Sequence, residues 1–409
     1  MSAMHHVLAN GLQIAADPIA GAESVALGLY AAVGSRSEPE RLGGLAHLVE
    51  HMVFKGAGGR DTRALAEVIE DVGGSLNAWT ARDQTVFHGR SLARDMPLVA
   101  ELIADLIRAP HFAEDHLERE KQVILSELGE SIDAPDDLVH DHLFEAAFDR
   151  QALGRPVLGT EASVRAVARQ DCFDWLSNEF APSRLVLAAS GRVDPDALLG
   201  LAERLFGEMP ARAQPAIQPA RFTGGIRNDR RSFEQAHWCL AYEGVPAGDS
   251  RVPALALFVQ ALGGGTSSRL FQELREEQGV AYSIYAWNQG FADTGVVGIG
   301  CAADRARAPE SVGLARDLVA ATAADLSEAE LNRARAQAEA GLLMTLETPQ
   351  GRADAMARSI ELFGRILSAD ELLGELRAVT VADSRAAGQA LLEGPVAIAS
   401  VGAQLALAA

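Results

Sequence analysis

Two histidines four residues apart, His47 and His51, constrain this 409-residue chain more than any other feature of its sequence. On a helix, positions i and i+4 lie one above the other on the same face, so both imidazoles can reach one metal ion. Glu50, at i+3 from His47, leans over the same spot. The surrounding residues 45–54 are strongly apolar, and three polar side chains among them need partners because unpartnered burial is costly. The motif therefore predicts a largely buried helix with a polar face that holds a zinc ion.

The spacing of the motif is informative because histidine is rare here, at 10 residues in 409. A chance His-x-x-Glu-His motif is expected at roughly the few-per-cent level in such a composition. The same order of residues occurs in one class of zinc hydrolases. The alternative is that the two histidines pack in a helix interface and bind neighbouring groups without a metal.

A catalytic zinc takes three protein ligands and leaves one position for water, so a third ligand is needed. Residues 114–128 contain neither proline nor glycine and predict a second helix. Its apolar residues Leu117 and Ile124 predict the face that points to the interior. Glu120 and Glu127 lie on that same face, at steps of three and four. In an isolated helix both carboxylates would pair with basic residues at the edge of the face. Beside an incomplete zinc site, Glu127 is the predicted ligand and Glu120 the carboxylate that orients one.

Residues 43–56 resemble the signature of the pitrilysin and mitochondrial-processing-peptidase family of zinc metallopeptidases. In that family the third ligand is a glutamate 76 residues after the second histidine, a position that Glu127 occupies. A further glutamate seven residues earlier is also a family feature, and it falls on Glu120. Residues 73–80 resemble the family's active-site edge strand. The resemblance extends from residue 10 over nearly the whole chain.

The resemblance implies a zinc-dependent endopeptidase that cuts extended, unstructured and often basic peptides. Glu50 would act as general base and pass its proton to the leaving amine, and Glu120 is counted with it as catalytic. A peptide would bind by adding a strand to a sheet edge, for which Asn77 and Ala78 are the candidates. For Asn77, a purely structural role in a turn or at a strand end is an open alternative.

A second signature, residues 274–282, resembles the family's arginine–tyrosine pair, which grips the peptide near the scissile bond. The pair falls on Arg275 and Tyr282, seven residues apart. Arg269, a little earlier, is predicted to have a structural role. We therefore expect a substrate-binding contribution from the second half of the chain.

Three other histidines have no assigned role. His88 stands where the family usually has a tyrosine, so contacts with the substrate near it differ from the family pattern. His140 and His142 are two residues apart in a predicted helix and point to different faces, so they cannot chelate one ion together. They are predicted to be peripheral.

Composition excludes several functions. The net charge of −20 disfavours a nucleic-acid partner, which requires a basic face, and suits cationic ligands. No apolar run approaches the roughly 18 residues that a membrane span needs. The N-terminus shows no basic segment followed by an apolar one, so a cytoplasmic location is expected. Three widely spaced cysteines, an odd number, predict reduced thiols at Cys172, Cys239 and Cys301.

The chain is predicted to divide at a proline-rich linker, residues 209–221. Residues 1–208 form the expected N-terminal zinc-binding catalytic domain. Residues 222–409 form a homologous domain that carries the arginine–tyrosine pair and lacks the metal ligands. Each half has a strand, a helix and a strand pair in the same order, which indicates duplication. We predict an α+β fold of two duplicated α/β domains, each a mainly antiparallel sheet covered by helices.

Assembly follows from the resemblance. Pitrilysin-type relatives join four such domains in one chain, with zinc in the first and the arginine–tyrosine pair in the fourth. This chain has two domains and both motifs, so a homodimer enclosing a chamber is expected, or pairing with a related subunit. Two other readings remain. One is a noncatalytic assembly subunit, although such relatives typically lose a ligand or the base; the other is a zinc hydrolase acting on a small molecule.

Overall fold

The computed structural model describes residues 3–212 and 217–406 as alternating strands and helices. The strands are β1 (Met4–Val7), β2 (Gln13–Pro18), β3 (Ser24–Ala31), β4 (Gly56–Ala57), β5 (Arg60–Asp61), β6 (Ser75–Thr80), β7 (Thr85–Leu92), β8 (Leu185–Gly191), β9 (Gly225–Asp229), β10 (Ala236–Gly244), β11 (Ala281–Gly290), β12 (Gly295–Ala303) and β13 (Val396–Val401). The α-helices are α1 (Leu45–Val53), α2 (Thr62–Glu70), α3 (Met96–Arg108), α4 (Glu114–Asp133), α5 (Pro135–Ala147), α6 (Glu161–Ala166), α7 (Arg169–Glu179), α8 (Pro195–Phe206), α9 (Val252–Gly263), α10 (Ala308–Asp325), α11 (Glu328–Leu346), α12 (Pro349–Phe363), α13 (Ala369–Ala378) and α14 (Val381–Leu391). A π-helix, Phe271–Glu277, precedes β11.

Contacts group the chain into two units, each built from three segments. The first unit comprises Met1–Leu128, Pro156–Gln218 and Met344–Leu367. The second comprises Gly129–Arg155, Pro219–Leu343 and Ser368–Ala409. Each unit therefore receives a helix-bearing segment from the opposite half of the sequence. The domain limits at 208 and 222 stay a prediction, and residues 213–216 of the predicted linker lie outside the described residues.

The first unit contains a six-stranded sheet in the order β1-β2-β8-β3-β7-β6. Its ladders are antiparallel except for the parallel pair β2–β8. One face packs on helices α1, α3 and α8 in a large apolar core that includes Leu27, Leu29 and Phe87. The other face presents Tyr30 and Val86 to helix α12. Because the sheet is covered on both sides, its central strand β3 is buried along nearly its whole length.

The second unit repeats this plan with a five-stranded sheet in the order β11-β12-β10-β13-β9. Here too all ladders are antiparallel except one, the parallel pair β9–β13. One face packs on α9, α10 and α14, and the other on α5. The order β11-β12-β10-β13-β9 of this sheet corresponds, strand by strand, to β6-β7-β3-β8-β2 of the first sheet, and the parallel pair lies at the same place in both. This correspondence confirms the predicted duplicated α+β fold. In the part of the chain that the structure describes, no helix has the length and apolarity to cross a membrane.

The helix predicted from residues 114–128 is longer than its sequence boundary. It continues through Gly129 to Asp133, and α5 starts at Pro135. A single glycine costs a helix only about 1 kcal/mol relative to alanine, so it does not end one. The proline, which disfavours a helical conformation in the residue before it, marks the boundary instead.

Candidate metal centre

Helix α1, which carries both histidines, begins at a fixed point in the backbone. Gly44 precedes it with φ of 90°, a left-handed conformation that favours glycine, and a Cβ there would lie 2.5 Å from the carbonyl oxygen of Leu158. The carboxylate of Glu38 accepts hydrogen bonds from the N–H groups of Gly44 and Ala46, at 2.9 and 2.7 Å. A carboxylate at this position satisfies free helix donors and complements the helix dipole. Both features fix where the histidine pair begins.

The three predicted ligands converge. The Nε2 atom of His47 lies 4.0 Å from Oε2 of Glu127, and Nε2 of His51 lies 3.9 Å from Oε1 of the same carboxylate. The two imidazole centroids are 4.6 Å apart. All three residues are partly buried, and one ligand atom from each lies within 4.8 Å of the others. Among the described residues, no other group of three His, Cys, Asp or Glu side chains meets that condition.

These residues fit a zinc ion. Bonds of 2.0–2.1 Å in a tetrahedral site give edges of about 3.4 Å between ligand atoms, close to the separations found. Burial, together with the nearby His51, lowers the pKa of His47 to about 4, so this imidazole is neutral at pH 7 and can donate a lone pair. Two nitrogens and one carboxylate oxygen are a ligand set that zinc hydrolases use.

Glu120 lies behind His51 rather than facing the other ligands. Its Oε2 is 3.2 Å from Nδ1 of His51, and its Oε1 is 3.0 Å from the Nζ of Lys55. With only 7% of Glu120 exposed, its charge is balanced locally by the lysine. A carboxylate on the second ring nitrogen fixes the tautomer and orientation of a metal-binding histidine.

Glu50 occupies the same face of α1, between the histidines. Burial raises the pKa of its carboxyl group; the Thr80 side chain and His51 partly offset that rise, and Glu127 adds to it. Its Oε2 is buried and has no hydrogen-bond partner among the described residues. A half-buried carboxylate with one oxygen that makes no hydrogen bond can accept and return a proton.

The predicted edge residues lie on strand β6, which ends the first sheet and packs on α1. Asn77 lies inside the strand and not at its end, and its side chain is exposed. Its Oδ1 accepts a 2.9 Å hydrogen bond from the backbone N–H of Ala78. Ala78 is buried in the core shared with α1. The strand therefore offers an open edge directly beside the helix that carries both histidines.

Arg275 and Tyr282 belong to the second unit. Arg275 is exposed on the π-helix, and its Cζ lies 4.8 Å from the centre of the Phe271 ring. Tyr282 is 72% exposed because it sits at a β-bulge, where Ala281 and Ser283 pair with consecutive residues of β12. A bulge turns a side chain out of the regular alternation. Both side chains are therefore free to meet a ligand.

The remaining predicted residues have structural surroundings. Arg269 binds Glu330 and Asp325 through three of its donors, as its predicted structural role requires. Burial lowers the pKa of His88. The Nε2 of His142 lies 3.6 Å from Asp229, and His140 lies against the ring of Trp287. None of these histidines belongs to the three-residue metal cluster described above.

Two neighbours of the candidate site were not predicted from the sequence. Lys55 balances the charge of Glu120. It could have been found, because a lysine four residues after His51 on the same helix can share the carboxylate partner of that histidine. Glu38 caps the helix from an irregular segment between two short 3₁₀ turns. No periodic pattern connects such a residue with the helix it caps.

Comparison with known proteins places these features in a family. The description "Insulinase (Peptidase family M16)" matches residues 14–161, and "Peptidase M16 inactive domain" matches residues 166–338. A Streptomyces coelicolor protein named an uncharacterized zinc protease is 33% identical over 395 residues, covering 94% of this chain and 86% of the relative. A Bacillus subtilis protein named in the same way is 29% identical over 374 residues, covering 91% of each chain.

Solved structures agree on the fold. A protease from Helicobacter pylori superposes with a TM-score of 0.89 at 19% identity, covering 98% of this chain and 99% of the other. A Pseudomonas fluorescens structure described as a peptidase M16 inactive domain gives 0.90 at 22% identity, covering 99% of both. With both family descriptions matched in order and relatives aligned over nearly its full length, this chain belongs to peptidase family M16.

Proposed function

We propose that this protein is a zinc-dependent endopeptidase that hydrolyses extended, unstructured and often basic peptides. The observation that carries the proposal is the approach of both histidine Nε2 atoms to the two oxygens of Glu127, at 4.0 and 3.9 Å. The family membership and the names of the relatives support the same class of enzyme. His47, His51 and Glu127 would hold the metal.

Side chains of this protein have the other roles in the proposed reaction. When bound, zinc supplies a Lewis acid that polarises a peptide carbonyl and makes a water molecule more acidic. Glu50 accepts the proton of the attacking water at Oε2, the oxygen that makes no hydrogen bond, and delivers it to the leaving amine. Its raised pKa suits this exchange because a stronger base holds the proton until the amine takes it. Glu120 holds His51 in position through Nδ1.

Substrate binding is proposed at the edge of β6. An extended peptide would pair with the free edge near Asn77 and Ala78, in place of the present bond between the Asn77 side chain and the Ala78 N–H. Main-chain pairing gives affinity with little sequence selectivity. Arg275 and Tyr282 would hold the peptide or its developing oxyanion.

The direct test is digestion of a peptide library by the purified protein, with and without a chelator, read by mass spectrometry. We expect metal-dependent cuts in unstructured peptides and little digestion of compact folded proteins. Higher salt should weaken the binding of basic peptides more than that of neutral ones, because screening reduces their attraction to a chain of net charge −20. Rapid digestion of a folded protein, with small peptides left intact, would contradict the proposal.

We further propose that two chains cooperate, with Glu50 and the metal ligands of one facing Arg275 and Tyr282 of the other. Homodimers of Glu50→Gln and of Arg275→Ala should each be weakly active. After subunit exchange, each heterodimer contains one site with both residues intact, so activity should recover to about half that of the unmodified dimer. If heterodimers form, as shown by differently tagged chains, and activity stays at the parental level, the site is not shared.

Glu120 should act through His51, which gives a prediction separate from the chemistry of Glu50. Glu120→Gln should lower zinc affinity by about 10–100-fold, because the imidazole loses the carboxylate that orients it. Competition with a chromophoric chelator measures this affinity. Glu114→Gln, at an exposed position at the start of the same helix, is the matched control and should leave it unchanged. Equal zinc affinity in the Glu120 and Glu114 variants would rule out the positioning role.

A further inference from the structure

The connection between strands β6 and β7, residues 81–84, is bonded to a helix that has no role in the proposed chemistry. The side-chain Nε2 of Gln84 donates hydrogen bonds to both carboxylate oxygens of Glu361 on α12, at 2.7 and 2.8 Å. Only 9% of the Glu361 side chain is exposed, and the Nη1 of Arg358 lies 3.6 Å from its carboxylate. The strand proposed to bind peptides is therefore closely followed by a buried polar contact.

Helix α12 makes a second polar contact with the first sheet. Asp354 lies seven residues before Glu361 on this helix, about two turns away and therefore on the same face. Its Oδ1 accepts a 2.5 Å hydrogen bond from the hydroxyl group of Tyr30, which lies on the central strand β3. Hydrogen bonds to carboxylates require a specific geometry, so two of them along one helix fix where α12 lies on the sheet.

The backbone of the same connection is held by the segment that leads into α1. The N–H of Ser35 donates to the carbonyl oxygen of Ala81 at 3.0 Å. The N–H of Arg36 donates to the carbonyl oxygen of Arg82 at 2.8 Å. Glu38, which caps α1, belongs to this segment as well. The connection is thus hydrogen-bonded both to α12 and to the segment that fixes the start of the helix with both histidines.

We propose that Gln84 and Glu361 are positioning residues, which hold the edge of β6 in place for an extended peptide. A peptide that adds a strand to a sheet binds more tightly when the edge is already ordered, because less conformational entropy is then lost on binding. Strand β6 ends the sheet and pairs with β7, so the connection between these two strands limits how far β6 frays. This inference rests on the proposed function, since it concerns the same peptide-binding edge.

Equilibrium binding to a chain that carries Glu50→Gln measures peptide affinity without hydrolysis. The probe is the tightest binder among a set of unstructured, basic, fluorescently labelled peptides. Adding Gln84→Ala should weaken its binding by about 2–30-fold, because the peptide must then order the edge that it pairs with. Zinc content should stay the same, since Gln84 lies outside the ligand cluster. Gln170→Ala, which removes a 2.8 Å bond to Asp174 on the exposed surface of α7, is the matched control and should leave affinity unchanged.

Exchange of the two side chains separates positioning from a general loss of stability. Gln84→Glu places two carboxylates together and should weaken binding. Gln84→Glu combined with Glu361→Gln forms an amide–carboxylate pair again and should restore most of the lost affinity. With Glu50 intact, Gln84→Ala should raise KM and leave kcat nearly unchanged, because the edge contributes to binding and not to the chemical step.

The outcomes distinguish this inference from the proposed function. Equal peptide affinity with and without Gln84→Ala, or no recovery in the exchanged pair, would overturn the positioning role and leave the peptidase proposal standing. Binding of none of the peptides to the chain with intact Gln84, together with no cleavage by the unmodified protein, would contradict both.

Discussion

Glu50→Gln should abolish most peptide hydrolysis while the protein keeps its zinc. Glutamine preserves the shape of the side chain but cannot accept the proton of an attacking water. The loss of a general base typically costs 10²–10⁴ in rate, and we expect a fall of that size or larger. The metal ligands are untouched, so zinc content should remain close to one per chain. Initial rates on a quenched fluorescent peptide, with elemental analysis of the same sample, measure both quantities.

A surface carboxylate provides the control for this substitution. Glu70→Gln makes the same change on an exposed residue of α2 and should leave both rate and zinc content unchanged. Near-normal turnover in Glu50→Gln would rule out the assigned role of this residue. Loss of zinc along with activity would instead count Glu50 among the groups that hold the metal.

His51→Ala should remove the metal and all metal-dependent activity. Only His47 and Glu127 would remain of the three converging ligands, and two ligands rarely retain zinc against a chelator. The substitution also leaves the buried carboxylate of Glu120 without its imidazole partner, although Lys55 still neutralises it. After dialysis against a weak chelator, we expect the zinc content of the variant to be lower than that of the unmodified chain by about tenfold or more.

His6→Ala is the matched control, because His6 is exposed on β1 and lies outside the ligand cluster. Its zinc content should equal that of the unmodified protein. Unchanged zinc content in His51→Ala would show that the metal binds elsewhere. A purified chain that takes up no divalent metal under any loading condition would end the zinc hypothesis as a whole.

The site residues that could be predicted from the sequence are those whose positions follow from the periodicity of a helix. The spacing of His47 and His51 predicted their convergence, and the apolar face of α4 predicted which carboxylates point toward them. Glu38 lies in an irregular segment, where residue type carries no directional information. The exposure of Tyr282 depends on a bulge in strand pairing, which is decided by the partner strand and not by the local sequence.

The fold shows the same division between local and distant information. Strand and helix order indicated a duplication, and the two sheets confirm it through the same strand order. The segments that cover the second face of each sheet, α5 and α12, could not be assigned from the sequence. Both have ordinary amphipathic patterns, and such a pattern shows that a helix is buried without showing against which sheet.

Helix α5 from the first half of the sequence packs in the second unit, and helix α12 from the second half packs in the first unit. The two halves of the polypeptide therefore depend on each other during synthesis. A nascent chain that has emerged only to residue 208 has made the first sheet but not the helix that covers Tyr30 and Val86. That apolar face stays open to water, and to other unfinished chains, until the 155 further residues up to the end of α12 have been added. We therefore expect that dividing the gene at its proline-rich segment yields two products that are not stable by themselves, because each half lacks a helix that the other half encodes.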